Sequence, residues 1–264
     1  MNRLEQTFQK LKSEGHKALI TFAMAGDPDA AKSLAVLLKL AESGADVIEI
    51  GMPFTDPMAD GPAIQAAGLR ALDADMTLEG VLKIVQQFRS KNSGTPIVLM
   101  GYFNPILKYG TDKFVNDCSE FGVDGLIIVD IPPEEAQEIL PQVQQKNLCF
   151  VRLLTPTTDA SRLSKILPQA SGFLYYVSIA GITGTKTADA GAVERHIEEI
   201  RKATDLPIVV GFGIKTPQDA AQFAAFADGV VVGSAIVDNI QQNQQDNTLT
   251  DKISAQVKAL RKAV

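Results

Sequence analysis

The sequence is poor in the residues that build metal centres and disulfide frameworks. Its 264 residues include two cysteines and two histidines. Cys118 and Cys149 form neither a CxxC pair nor a Cys/His cluster, so neither a structural metal nor a disulfide is implied. His16 and His196 both fall outside the ends of apolar runs, which disfavours a metal-dependent sugar-phosphate epimerase. No apolar run approaches the ~18–20 residues of a membrane span. Arg3, Glu5, Lys10, Lys12 and Glu14 interrupt any signal-peptide core. A reducing, cytoplasmic location is therefore expected. The net charge of −6, with no block of like charge, argues against a nucleic-acid binder and against a polyanion-binding tail. There is no GxGxxG fingerprint, no GxxxxGK phosphate loop, no low-complexity stretch and no composition break that would divide two domains.

What the chain does contain is a regular alternation. Leu4, Phe8 and Leu11 sit at helical spacing in residues 2–14, an amphipathic helix suited to closing the bottom of a barrel. Short apolar runs follow at 18–23, 47–50, 97–100, 125–129, 148–153, 173–177, 208–211 and 229–233. Most are continuous rather than alternating, as in parallel strands buried on both faces. Helical segments separate them, and the region after the second strand holds two, near 63–73 and 78–91. Residues 101–105 read as a loop, and a helix is expected from Glu134. Eight strands in a chain of this length favour one α/β domain over 1–264. The expected form is a (β/α)8 barrel with an N-terminal helix and an extra helix after the second strand.

Residues 47–65, VIEIGMPFTDPMADGPAIQ, carry the chemistry. Glu49 lies inside a strand whose neighbours are all apolar. An ionised carboxylate there costs several kcal/mol unless it is paired or neutralised. Asp56 and Asp60 follow in a loop punctuated by Pro53, Pro57 and Pro62. A strand-end acid beside a loop acid makes a candidate two-carboxylate active site. The plainer alternatives are a buried Arg or Lys partner for Glu49, a helix cap for Asp60 and ordinary turn chemistry for Asp56. His196, in a charged helix, is expected to face solvent, and Arg152 inside the fifth strand is expected to be a core ion-pair partner.

Glycine-bearing loops follow the last three strands: Gly181 to Gly184, Gly211 to Ile214, and Gly233-Ser234-Ala235. In barrels of this kind the loops after strands seven and eight often hold a phosphate on backbone N–H groups and a helix N-terminus. Tight βα turns are the alternative reading. Without a nucleotide fingerprint, the phosphate is expected to belong to a small substrate. Residues 181–191 read as a mobile lid or as a plain surface loop.

Residues 48–65 resemble the signature of the tryptophan synthase α-subunit family. MGYFNPI at 100–106, VDIPPEE at 129–135, GITG at 181–184, GFGI at 211–214 and VVGSAIV at 231–237 are similar to that family's other blocks, in the same order. The resemblance implies a (β/α)8 barrel and a retro-aldol cleavage of indole-3-glycerol phosphate to indole and glyceraldehyde 3-phosphate. No cofactor is implied in this subunit. The implied partner is a β subunit that carries pyridoxal phosphate, in an α2β2 heterotetramer. It also implies that Glu49 and Asp60 are catalytic. Phe22, Met100, Val129, Tyr175 and Phe212 would line the indole pocket; by pattern alone Tyr102 joins Phe22, Tyr175 and Phe212 in a flat aromatic slot, although aromatic residues at strand ends are also common core. Thr183 matches the lid threonine, and Gly184, Gly213, Gly233 and Ser234 fall in the phosphate-binding blocks. The loop at 53–60, the Asn104-Pro105 turn and residues 179–191 would face the partner. One departure stands out: Ile179 occupies a position where many members carry Arg. The competing readings are a non-catalytic activating subunit and another phosphate-binding barrel enzyme.

Overall fold

A computed structural model describes residues 1–178, 189–211 and 213–264. Nine parallel strand segments form one sheet. They are β1 (Ala18–Met24), β2 (Val47–Gly51), β3 (Ile97–Gly101), β4 (Gly125–Ile128), β5 (Cys149–Phe150), β6 (Arg152–Leu154), β7 (Leu174–Val177), β8 (Ile208–Gly211) and β9 (Gly229–Val232). Their order is β5-β4-β3-β2-β1-β9-β8-β7-β6. The two edge segments, β5 and β6, are consecutive in the chain and separated only by Val151.

That break explains how eight expected strands become nine segments. The lower half of the fifth strand pairs with β4 through Gly125↔Cys149 and Leu126↔Phe150. The upper half pairs with β7 through Arg152↔Leu174 and Leu153↔Tyr175. Val151 N–H still donates to Leu126 O at 3.0 Å. Closing a barrel requires such a stagger, because tilted strands cannot match both neighbours along their whole length. The result is the TIM-barrel fold.

Side-chain alternation divides the core into two shells. Ala18, Ile20, Val47, Val98, Ile127, Val151, Phe173, Val209 and Val231 fill the barrel interior, together with Leu4, Phe8 and Leu11 of the helix Arg3–Glu14. This helix plugs the bottom as expected, with Phe8 stacked 5.4 Å from Phe173. Asp124, at the lower end of β4, ties the plug down. Its carboxylate meets Arg3 Nε at 2.9 Å and Arg89 Nη2 at 2.7 Å, and accepts the Ile97 N–H. The other strand faces pack against the surrounding helices.

Two local expectations change. Residues 103–105 belong to a helix, Phe103–Tyr109, rather than a loop. Pro105 stands in its first turn, where its missing N–H removes no intrahelical bond. The segment after Pro132 begins as a 3-10 turn, Pro133–Glu138, before the short helix Leu140–Gln145. Both helices after β2 form, as Pro62–Asp73 and Leu78–Arg89. None of the described helices is long and apolar enough to cross a membrane.

Candidate active site

Alternation along β2 points Val47, Glu49 and Gly51 toward the barrel axis. Val47 lies in the interior cluster, so Glu49 stands one inward position nearer the C-terminal mouth. In register it lies between Phe22 of β1 and Val98 of β3. Glu49 is 1% exposed, and its Oε2 has no hydrogen-bond partner among the described residues. Among the described residues no lysine or arginine pairs with it, so none of them serves as the ion-pair partner of the plainer reading. Burial and, to a smaller extent, the Asp60 charge together push its carboxyl up from 4.5 to about 8.

Asp60 lies in the turn that leads into the helix Pro62–Asp73. The N-cap of that helix is Gly61, and no side chain caps it. Asp60 is therefore free of the capping role that its sequence position suggested. Its carboxylate instead accepts a hydrogen bond from Tyr102, at the C-terminal end of β3. Burial raises its pKa from 3.8 to about 6, while the Tyr102 bond opposes that rise. The two acids thus share one mouth under different constraints: Glu49 is buried, its Oε2 without a hydrogen-bond partner among the described residues, while Asp60 is hydrogen-bonded and half-buried. Such a pair keeps one group protonated and the other ionised near neutral pH. Asp56 takes no part. It is exposed and accepts from the adjacent Thr55 hydroxyl, as turn chemistry predicts.

A narrow cleft opens above Glu49. Phe22, Met24, Gly51, Met52, Asp60, Met100, Gly101, Tyr102 and Val129 line it. Five of the pocket positions expected from sequence therefore converge, counting Asp60 with Phe22, Met100, Tyr102 and Val129. Tyr175 lies in the barrel interior, where burial and then the charge of Glu49 raise its phenol pKa. Met24 and Met52 were missed by sequence reasoning, although Met24 repeats the inward parity of Phe22 on β1. Gly51 has a steric reason to be glycine: a Cβ there would lie 2.6 Å from Phe22 Cζ and 2.9 Å from Met24 Sδ. A wider groove at the opposite, N-terminal face carries His16, Asp46 and Arg261. There Asp46 and Arg261 already neutralise each other.

A sequence profile described as tryptophan synthase alpha chain matches residues 8–264. The chain belongs to that family. It is 41% identical to tryptophan synthase subunit alpha from Legionella pneumophila str. Paris, with a TM-score of 0.93 over 100% of this chain and 98% of that one. A tryptophan synthase structure from M. tuberculosis, in its aminoacrylate-bound form, matches at 32% identity and a TM-score of 0.89, covering 100% of both chains. A protein from Aquifex aeolicus VF5 matches at 37% identity and a TM-score of 0.92, over 100% of this chain and 99% of that one. The tryptophan synthase alpha family catalyses cleavage of indole-3-glycerol phosphate, a carbon–carbon lyase reaction of tryptophan biosynthesis.

Other positions expected from the tryptophan synthase resemblance lie around this mouth. Gly213 is exposed after β8 and adopts a φ of +82°, a left-handed conformation that favours glycine. Gly233 caps the helix Ser234–Asn243 with its carbonyl, and among the described residues no side chain makes a capping hydrogen bond there. Thr183, Gly184, Ile179 and Phe212 fall outside the described residues, as does most of the expected lid.

Two expectations outside the site are corrected. His196 is half-buried rather than solvent-facing. Its Nε2 lies 3.1 Å from Thr158 O and its Nδ1 2.9 Å from Tyr176 Oη. The carbonyl can only accept, so Nε2 carries the proton and Tyr176 donates to Nδ1. This tethers the helix Ala190–Arg201 to the barrel wall. Arg152 is 6% exposed and forms no ion pair among the described residues, its guanidinium 5.2 Å from the Phe150 ring centre. Burial lowers its pKa to about 10.

Proposed function

We propose that Glu49 and Asp60 carry out the cleavage of indole-3-glycerol phosphate in this chain, and that the indole passes to a β subunit. Breaking the bond between the indole ring and the glycerol chain requires a proton on ring carbon C3 and removal of the C3′ hydroxyl proton. Glu49, protonated at neutral pH by its dry setting, supplies the first. Its resulting carboxylate accepts the second, which returns it to its starting state. As C3 is protonated, positive charge grows on the ring and its N–H becomes more acidic. An ionised Asp60 facing that N–H strengthens its hydrogen bond in the transition state more than in the ground state.

The observation that carries this reading is the buried Oε2 of Glu49, without a hydrogen-bond partner among the described residues, in the same mouth as a hydrogen-bonded Asp60. Phe22, Met100, Tyr102, Val129 and Tyr175 supply apolar walls for the indole ring. Gly213, Gly233 and Ser234 supply backbone donors for the phosphate at the helix N-terminus. In this reading the two acids carry the proton transfers without a cofactor in this subunit, and pyridoxal phosphate resides in the β partner.

The partner docks on the barrel top, around residues 53–60 and the helix Phe103–Tyr109. Met58 and Leu107 are 78% and 57% exposed there, an apolar display suited to burial against another chain. The assembly is an α2β2 heterotetramer in the cytoplasm, a setting in keeping with two free, buried cysteines. The test is indole release from indole-3-glycerol phosphate, by the chain alone and with a β subunit. Glu49→Gln should lower turnover by at least ~10²-fold, the ordinary scale of proton-transfer catalysis, and Asp60→Asn should lower it by a similar factor. Normal turnover by a folded Glu49→Gln variant overturns the assignment.

A further inference from the structure

We propose that Tyr102 is a positioning residue, whose phenol holds the 57–60 turn and aims the Asp60 carboxylate for the cleavage. The inference rests on the role assigned to Asp60 above and adds a function for Tyr102 beyond that of a pocket wall.

Tyr102 is 3% exposed and directly follows β3, so its backbone is fixed by the barrel. Its ring packs against Phe54 with centroids 5.5 Å apart. Its Oη accepts the Ala59 N–H at 3.0 Å. The same oxygen contacts Asp60. A backbone N–H can only donate, and a phenol has a single proton. That proton is therefore the one shared with Asp60. The bond runs from Tyr102 to the carboxylate and favours the ionised, accepting form of Asp60.

The loop has few other ties. Residues Thr55, Asp56, Met58 and Ala59 are exposed. Within the loop, Met58 N–H bonds to Asp56 O and Asp60 N–H to Pro57 O. Gln65, in the following helix, donates to Asp60 O. Among the described residues, every hydrogen bond from 53–60 to the end of another strand goes to Tyr102. A wall for an indole ring would need only a phenylalanine. A buried hydroxyl with two loop partners has a second purpose. The other charged groups near this contact are Glu49 from β2 and Asp130 after β4, the latter holding the Phe103 N–H at 2.8 Å.

Tyr102→Phe keeps the ring and the Phe54 contact while removing both bonds. The measurement is the pH profile of kcat/KM for indole release by the complex with a β subunit, for wild type, Tyr102→Phe, Asp60→Asn and the double variant. Tyr102→Phe is expected to lose about ten- to hundredfold, the value of one hydrogen bond to a charged group. Its acid limb should move to higher pH, because Asp60 loses the donor that opposes its protonation. In the Asp60→Asn background the same change should cost less than about threefold, since the two residues act as a unit. Amide exchange at Ala59 should accelerate in Tyr102→Phe whether or not substrate is turned over. An unmoved acid limb, a full loss persisting in the Asp60→Asn background, or unchanged Ala59 exchange would each overturn the proposal. If wild type releases no indole, the lyase reading fails instead, and Ala59 exchange alone then decides whether Tyr102 braces the loop.

Discussion

Glu49→Gln should make the isolated chain more stable while it destroys turnover, and the gain should grow with pH. Glu49 titrates at about 8 in the folded protein against 4.5 for an ordinary glutamate. Between those values the native state binds a proton that the unfolded chain has released, so stability falls as pH rises through the window. Glutamine mimics the protonated acid and escapes that loss. Linkage gives an advantage of roughly 1 kcal/mol at pH 5.5, about 3 kcal/mol at pH 7 and about 4 kcal/mol at pH 8. Asp60 also titrates near 6, but it does so in both proteins and largely cancels in the difference. Urea unfolding of both proteins at the three pH values measures this directly, through midpoints at a shared slope. A constant difference from pH 5.5 to 8 would refute the reasoning, because it would mean that Glu49 titrates normally in its site. A gain in stability with loss of function is what an unpaired buried acid kept for catalysis should show.

Gly51→Ala should crowd the cleft, since the new Cβ would stand 2.6 Å from Phe22 Cζ. Overpacking of this kind should raise KM about tenfold, while binding of inorganic phosphate, measured by calorimetry, stays unchanged. Asp124→Ala leaves Arg3 and Arg89 without their shared carboxylate at the barrel bottom. It should cost about 3–5 kcal/mol in urea unfolding, yet leave kcat near wild type at low temperature, because that face lies opposite the chemistry.

The strand count, the strand positions and the candidate acids were all legible in the sequence. Burial on both faces of a strand writes itself locally as a continuous apolar run, and a carboxylate inside such a run stands out at Glu49. The plug helix was legible for the same reason, from Leu4, Phe8 and Leu11 at helical spacing. The helix Phe103–Tyr109 was not, because Gly101 and Pro105 read as loop punctuation when proline in a first turn is equally at home. Arg152 and His196 were misread because a charged residue signals a partner or solvent only on average. The barrel wall instead gave one an aromatic ring and the other a tyrosine and a carbonyl.

By itself, then, the sequence determined the order of the strands, the barrel and the residue types at its mouth, since these follow from periodicity over a few neighbouring positions. Only the tertiary structure decided the protonation of the acids and the partners that hold them. Those depend on groups that closure of the barrel brings together from β2, β3 and the turn between them. Glu49 titrates high because closure of the barrel buries it beside Asp60, and Asp60 stays half-buried against Tyr102 rather than capping its own helix. Desolvation and hydrogen bonding act over a few ångströms in space, and no spacing along the chain encodes them.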